Sequence, residues 1–173
     1  MSSHKEIERR FLVSTENFYK ILTEDMQTDM IQQAYLKSEP GVIDRIRICN
    51  GKAIRTTKSN FNGISCDEDE HEVPLDDGKR MFVKAIRADA SGGITKTRTI
   101  IPFGELKIEV DEFAYPLNLS GLIIAEIELP SEDHSFEVPE WFGEEISGRR
   151  GWNNFSLLKN GIPNETKEHL AGI

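Results

Sequence analysis

The sequence predicts an α+β fold dominated by antiparallel sheet, and three observations lead there. Short runs of alternating polarity, about eight of them, outnumber the three or four helical stretches. Asn50-Gly51 sits between two such runs, the strongest short hairpin signal. Six of the runs place acid pairs or base pairs at i and i+2, a strand spacing that puts both charges on one face.

The elements follow in order. Lys5 to Val13 reads as the first strand, and a helix capped by Ser14 or Thr15 follows, with Phe18, Ile21 and Leu22 on one face. Met30 to Leu36 is a strand, and Ile43 to Cys49 and Lys52 to Ser59 are the hairpin arms. Asn60-Phe61-Asn62-Gly63 is expected to turn into a strand over Ser65 to Val73. Asp76 is expected to cap a helix through about Arg87, with Phe82, Ala85 and Ile86 as its apolar face. Ile94 to Ile101 and Leu106 to Phe113 flank Pro102-Phe103-Gly104, and Leu122 to Leu129 is the last strand. From Ser131 the tail should be partly helical. Its last helix is expected over Asn153 to Lys159, with Gly161 as stop and Pro163 beyond.

Composition narrows the functional classes. Twenty-one lysines and arginines against 30 acids give a net charge of −9, which argues against a general nucleic-acid or membrane-surface binder. A chain of 173 residues suits one domain, taken as residues 1–173. No apolar run approaches the roughly 20 residues of a spanning helix, and Met1-Ser2-Ser3-His4 opens no signal peptide. Cys49 and Cys66 cannot make a disulfide framework, so a reducing, cytoplasmic setting is expected. His4, His71, His134 and His169 are scattered without zinc-type spacing.

The charges carry the chemistry. The same-face sets are Glu6, Glu8 and Arg10; Arg45 and Arg47; Glu70 and Glu72; Lys96 and Arg98; Glu109 and Asp111; and Glu126 and Glu128. A two-residue loop at Asn50-Gly51 sets Cys49 opposite Lys52, Arg47 opposite Ile54 and Arg45 opposite Thr56, which brings Lys58 onto the face of Arg45 and Arg47. For a single strand, a charged face is ordinarily the solvent side of a half-buried sheet. Six strands of strict acid or base pairs point instead to a closed barrel with a polar, water-filled bore and its apolar faces outward, under the helices and tail. Clustered carboxylates beside clustered cations suit a polyphosphate with a divalent metal, because carboxylate oxygens bind Mg²⁺ or Mn²⁺ and Arg and Lys hold phosphate oxygens.

These residues resemble the CYTH, or triphosphate tunnel metalloenzyme, family. Glu6-Ile7-Glu8-Arg9-Arg10 looks like its E-x-E-x-K signature, with Arg10 in place of the lysine. Arg45-Ile46-Arg47, Thr57-Lys58-Ser59, Lys96-Thr97-Arg98, Glu109-Val110-Asp111 and Glu126-Ile127-Glu128 fall in the family's order, and Trp141 to Ser147 with Asn154 resembles its C-terminal segment. The likeness runs from about Lys5 to Leu158. It implies an eight-stranded antiparallel closed β-barrel, a tunnel with a few flanking helices, and metal-dependent hydrolysis of a triphosphate. The short bacterial form favours inorganic tripolyphosphate, giving pyrophosphate and phosphate. By the same resemblance Glu6, Glu8, Glu126 and Glu128 would hold Mg²⁺ or Mn²⁺, and Arg10, Arg45, Arg47, Lys58, Lys96 and Arg98 would bind phosphate oxygens. Tyr35 would pair with Lys58, and a second metal near Glu6 and Glu8 would activate the attacking water. Glu70, Glu72, Glu109 and Asp111 would orient the cations.

The chain departs from the family pattern at three places. Arg10 brings a wide planar fork where a point charge is usual, Glu68 stands where a basic residue is usual, and Gly151 stands where a cation usually precedes the aromatic at Trp152. Three alternatives to a tripolyphosphatase stay open: a nucleoside or thiamine triphosphatase, for which the sequence shows no clear aromatic mouth; an adenylate cyclase, disfavoured because no dedicated base for a ribose hydroxyl is apparent; and a non-catalytic polyphosphate-binding or nucleotide-binding module. The expected partner is a small triphosphate, with no nucleic acid and no membrane. The oligomeric state is not legible.

Overall fold

Asn50 and Gly51 both adopt positive φ, 49° and 74°, the backbone that a two-residue hairpin turn requires. That turn fixes the register as expected, with Cys49 opposite Lys52, Arg47 opposite Ile54 and Arg45 opposite Thr56. It joins two of eight strands in a computed structural model that describes residues 4–164. Residues 1–3 and 165–173, with the Met1-Ser2-Ser3 start and His169, lie outside the described residues.

The strands are β1 (His4–Leu12), β2 (Gln27–Tyr35), β3 (Ile43–Cys49), β4 (Lys52–Asn62), β5 (Ser65–Val73), β6 (Ile94–Phe103), β7 (Leu106–Tyr115) and β8 (Ile123–Glu128). The helices are α1 (Thr15–Ile21), α2 (Leu75–Ala88) and α3 (Asn154–Asn160). The strands close into an antiparallel barrel in the order β1-β5-β4-β3-β2-β6-β7-β8. Closure leaves no continuous open sheet edge. Among the described residues no helix is long and apolar enough to cross a membrane.

The apolar faces point outward. Ala34, Ile46 and Ala53 on β2, β3 and β4 are buried beneath Ala85, Phe82 and Ile86 of α2. Gly78 lets that helix approach: a Cβ there would collide with the side chain of Ala53. Ile7, Ile108, Val110, Ala125 and Ile127 pack beneath Phe18 of α1 and the aromatic tail residues Phe136, Trp141 and Phe142. A third cluster continues the inward-facing rows at one end of the bore. There Leu12, Ile94, Phe113 and Ile124 meet Trp152, Leu157 and Leu158, closing that end with apolar side chains.

Several boundaries differ from the sequence-based expectation. Helix α2 begins at Leu75 behind Pro74, which makes no side-chain cap. Asp76 lies inside the first turn, where with Asp77 it faces the positive end of the helix dipole. Strand β4 runs to Asn62, and Asn60, with φ of 51°, lies at a bulge rather than in a turn. The tail between Ser131 and Trp152 forms turns and one isolated bridge, with no helix. The cause is an unpaired edge: β5 pairs only with residues 4–7 of β1. Beyond that point Leu12 donates to the Glu144 carbonyl at 2.9 Å, and Gly143 and Ile146 donate to the carbonyls of Leu12 and Arg10 at 2.8 and 2.9 Å. The tail therefore satisfies backbone groups that would otherwise be orphaned.

Candidate active site

The alternating charges line a cavity of about 400 Å³ inside the barrel. Glu6, Glu8 and Arg10 reach it from β1, Arg45 and Arg47 from β3, Lys58 from β4, Arg98 from β6, and Glu126 and Glu128 from β8. Tyr35, Glu70 and Glu109 also line it. Three expected residues do not. Lys96 and Asp111 are fully buried against each other in the wall, and Glu72 lies at the outer end of β5, paired with Lys52 at 3.2 Å.

The barrel order separates the charges. β3 stands four strands around the ring from β8 in either direction, so Arg45 and Arg47 face the carboxylates of β1 and β8 across the bore. On the carboxylate side, Glu8 and Glu128 are directly opposed across the β1–β8 ladder. Like charges so placed repel unless a cation lies between them. Burial, with Glu126 as a like neighbour, pushes the Glu8 carboxyl up to about 7. Glu126 behaves oppositely. Burial opposes its charge, but Arg10, Arg98 and Lys96 outweigh that and hold it well below the usual range. Arg10 Nη2 donates to Glu126 Oε1 at 2.5 Å, and Arg98 Nη2 to Oε2 at 2.8 Å. Arg98 also forks onto Asp111, with both bonds at 2.7 Å, and reaches Glu109. Burial likewise opposes charge on Glu6, but the bonded Lys58 ammonium holds its carboxyl below the ordinary value.

On the opposite wall the cations are weakly compensated: Arg45 Nη2 lies 4.0 Å from Glu70 Oε2. Arg45 Nη2 donates to Thr56 Oγ1 at 3.1 Å, and that hydroxyl donates to Glu70 Oε2 at 2.9 Å. The Nε of Arg45 and the Nε of Arg47 are buried with no hydrogen-bond partner among the described residues. Arg47 has no ion pair among the described residues. Burial and the adjacent Arg45 lower its pKa to about 10, a sign of uncompensated positive charge.

Tyr35 is placed differently from the expectation. Its hydroxyl accepts from Gln33 Nε2 at 2.9 Å, while Lys58 turns to Glu6, with Glu68 Oε1 at 3.6 Å. Burial pushes the Tyr35 phenol up to about 12, and its ring packs edge-on against Phe155 at 5.1 Å. Glu68, at a position where the family pattern is basic, is buried beside Lys58. Arg149 and Arg150 line the cavity near Gly151, and Arg149 is paired with Glu144 at 2.5 Å.

Sequence reasoning missed Gln33, Thr56, Cys66, Phe61 and Phe155. Strand parity contained a signal for three of them, since Gln33 shares a face with Tyr35, Thr56 with Lys58, and Cys66 with Glu68 and Glu70. Cys66 Sγ lies 3.3 Å from Glu6 Oε2. Phe61 lines the cavity while half exposed, which places an aromatic ring at its rim.

The donor chemistry suits a hard divalent cation. Glu6, Glu8, Glu126 and Glu128 are all carboxylates, as Mg²⁺ and Mn²⁺ prefer; Glu8 has only a long 3.8 Å contact with Arg10 Nε, and Glu128 has no ion pair among the described residues. Among the described residues no three acidic, histidine or cysteine side chains converge as a ligand set, since Glu6 and Glu126 are turned to Lys58, Arg10 and Arg98.

Comparison with known proteins agrees with this architecture. An inorganic triphosphatase from Acetivibrio thermocellus is 34% identical over 160 residues, spanning 92% of this chain and 97% of that protein. An inorganic triphosphatase from Nitrosomonas europaea is 32% identical over 157 residues, spanning 88% and 95%. A solved structure of an inorganic triphosphatase superposes with a TM-score of 0.62 at 27% identity, covering 92% of this chain and 97% of the other. The PH1012 protein of Pyrococcus horikoshii shares the fold at 20% identity and a TM-score of 0.56, covering 74% and 80%. The CYTH domain model matches residues 4–155, the same span that builds the barrel, its charged bore and the tail that seals it, and the chain belongs to the CYTH domain family.

Proposed function

We propose that this protein is a metal-dependent inorganic triphosphatase that hydrolyses tripolyphosphate to pyrophosphate and phosphate inside the barrel. The observation that carries the reading is the pairing of two unbalanced walls across one cavity. Arg45 and Arg47 have buried, unpartnered Nε groups on β3, and Glu8 opposes Glu128 across β1 and β8. A linear polyanion bound with a divalent cation neutralises both walls at once. The inorganic triphosphatases to which the chain is similar support the same substrate.

Glu6, Glu8, Glu126 and Glu128 would hold Mg²⁺ or Mn²⁺, which supplies neutralisation of phosphate charge and activation of a phosphoryl oxygen or water. Arg45 and Arg47 seat phosphate oxygens through guanidinium N–H groups. Lys58, between Glu6 and the Arg45 wall, contributes a further positive charge that stabilises the departing pyrophosphate. Lys96 and Arg98 keep Asp111 and Glu126 ionised, and Arg98 orients Glu109, rather than gripping substrate directly. Tyr35, held by Gln33, positions the wall beside Lys58 rather than relaying a proton.

Phe61 favours one second reading. A half-exposed aromatic ring at the rim offers a stacking face to a nucleobase, so a nucleoside triphosphate is the runner-up substrate. The test is kcat/KM for tripolyphosphate, ATP and thiamine triphosphate, measured for the native protein and for Phe61→Ala. The proposal expects tripolyphosphate to lead and Phe61→Ala to leave it in the lead. ATP ahead, with a selective loss in Phe61→Ala, would establish the nucleotide reading instead.

A further inference from the structure

Arg10 stands at the family's lysine position, yet its guanidinium faces the tail more than the open cavity. Its Nη1 donates to the Trp152 carbonyl at 2.6 Å. Its Nη2 donates to Glu126 Oε1 at 2.5 Å and to Asn154 Oδ1 at 3.3 Å. The backbone is engaged with the same segment. Arg10 N–H donates to Ser147 Oγ at 2.9 Å, and its carbonyl accepts from Ile146 N–H at 2.9 Å. Only Nε is left without a partner, and it lies 3.8 Å from Glu8 Oε1.

We propose that Arg10 is a positioning residue, a latch that ties the end seal (residues 146–154) to Glu126 and thereby fixes that carboxylate. A lysine ammonium is a point charge and cannot span a carbonyl, an amide oxygen and a carboxylate that lie in different directions. A planar fork can. Burial gives the latch its strength. Arg10 is 6% exposed and Trp152 3% exposed, so breaking one contact leaves charge unpaired in a dry environment. The apolar cluster of Leu12, Phe113, Ile124, Trp152 and Leu157 lies directly beyond, two residues along β1. The seal and the carboxylate wall are thus one mechanical unit with Arg10 as the joint.

The test is Arg10→Lys, which retains charge and removes the fork. Amide exchange across residues 146–158 should rise by about tenfold or more, because the local opening free energy falls. Trp152, observed alone in a Trp141→Phe background, should become more accessible to acrylamide. The Mg²⁺ concentration for half-maximal tripolyphosphate hydrolysis should rise, while KM for tripolyphosphate at saturating Mg²⁺ stays within about twofold. Asn154→Ala removes one contact from the tail side and should move exchange and quenching in the same direction by less. It keeps the proposal testable if Arg10→Lys does not fold. Wild-type exchange and quenching in both variants would overturn the latch. A raised KM with unchanged exchange would also overturn it and make Arg10 a phosphate ligand. Only the kinetic arm rests on the triphosphatase reading; exchange and quenching need no turnover, so failure of one is distinguishable from failure of the other.

Discussion

Glu8 and Glu128 are directly opposed across the β1–β8 ladder, two carboxylates on adjacent strands with their side chains in the same bore. Glu8 is costly to ionise there: burial and the nearby Glu126 push its carboxyl up to about 7, against the pull of Arg10 and Lys58. A divalent ion between the two carboxylates would make the arrangement favourable.

That cost predicts a trade between stability and function. Glu8→Gln should raise the melting temperature of the metal-free protein, by an amount in keeping with about 0.2–1 kcal/mol for an opposed like-charge pair. The same change should remove the stabilisation that Mg²⁺ or Mn²⁺ gives the native protein. Thermal melts with and without metal would show both effects, and a variant that melts lower without metal would contradict the account.

Arg47 should behave as the mirror case. Because it is uncompensated among the described residues, Arg47→Ala should cost little stability without ligand. Its effect should fall on substrate, with KM for tripolyphosphate rising about tenfold or more, as expected when a charge-assisted bond to phosphate is lost. Steady-state kinetics beside a thermal melt would separate the two.

Lys96 and Asp111 make a structural prediction. Both are fully buried and bonded to each other, so Lys96→Ala should destabilise by about 3–5 kcal/mol by leaving a buried carboxylate short of one partner. Arg98 still contacts Asp111, which places the loss toward the lower end. Denaturant unfolding measures it.

The Arg9–Glu145 pair links the outside of β1 to the tail through bonds of 2.7 Å. The bond to Arg9 outweighs modest burial and lowers the Glu145 pKa. The sign follows from the depressed carboxyl. The contribution is present above the unfolded value of about 4.3 and is lost as pH falls through the lower folded value. With both side chains partly exposed, the pair contributes up to about 1 kcal/mol. The stability gap between native protein and Arg9→Ala should therefore shrink below pH 4.3 but stay open, because Arg9 also stacks on Phe11 and Phe136, at 5.2 and 4.9 Å to their ring centroids.

The charged bore was legible because strand periodicity is strict. Once Glu6 and Glu8, Arg45 and Arg47, and Glu126 and Glu128 share faces, closure brings them together whatever the loops do. The hairpin register was legible because Asn50-Gly51 has one favoured turn geometry. The tail was not legible. Gly143, Glu144 and Ile146 are fixed by the free edge of β1, a contact more than 130 residues away in sequence and without periodicity of its own. Tyr35 was misjudged for a related reason: its position on the wall followed from parity, but the choice of Gln33 over Lys58 depends on Glu6 and Glu68 competing for the ammonium. Lys96 was placed on the correct strand face but not at the correct depth, since alternation does not reveal where a bore narrows.

The most direct measurement is phosphorus NMR of tripolyphosphate incubated with the protein, with Mg²⁺, with Mn²⁺ and with EDTA, beside a Glu6→Ala, Glu8→Ala double variant. The account predicts equal amounts of pyrophosphate and orthophosphate only when metal is present, and none from the variant. Tripolyphosphate that stays intact with metal, while still raising the melting temperature, would contradict it and make the barrel a binding module.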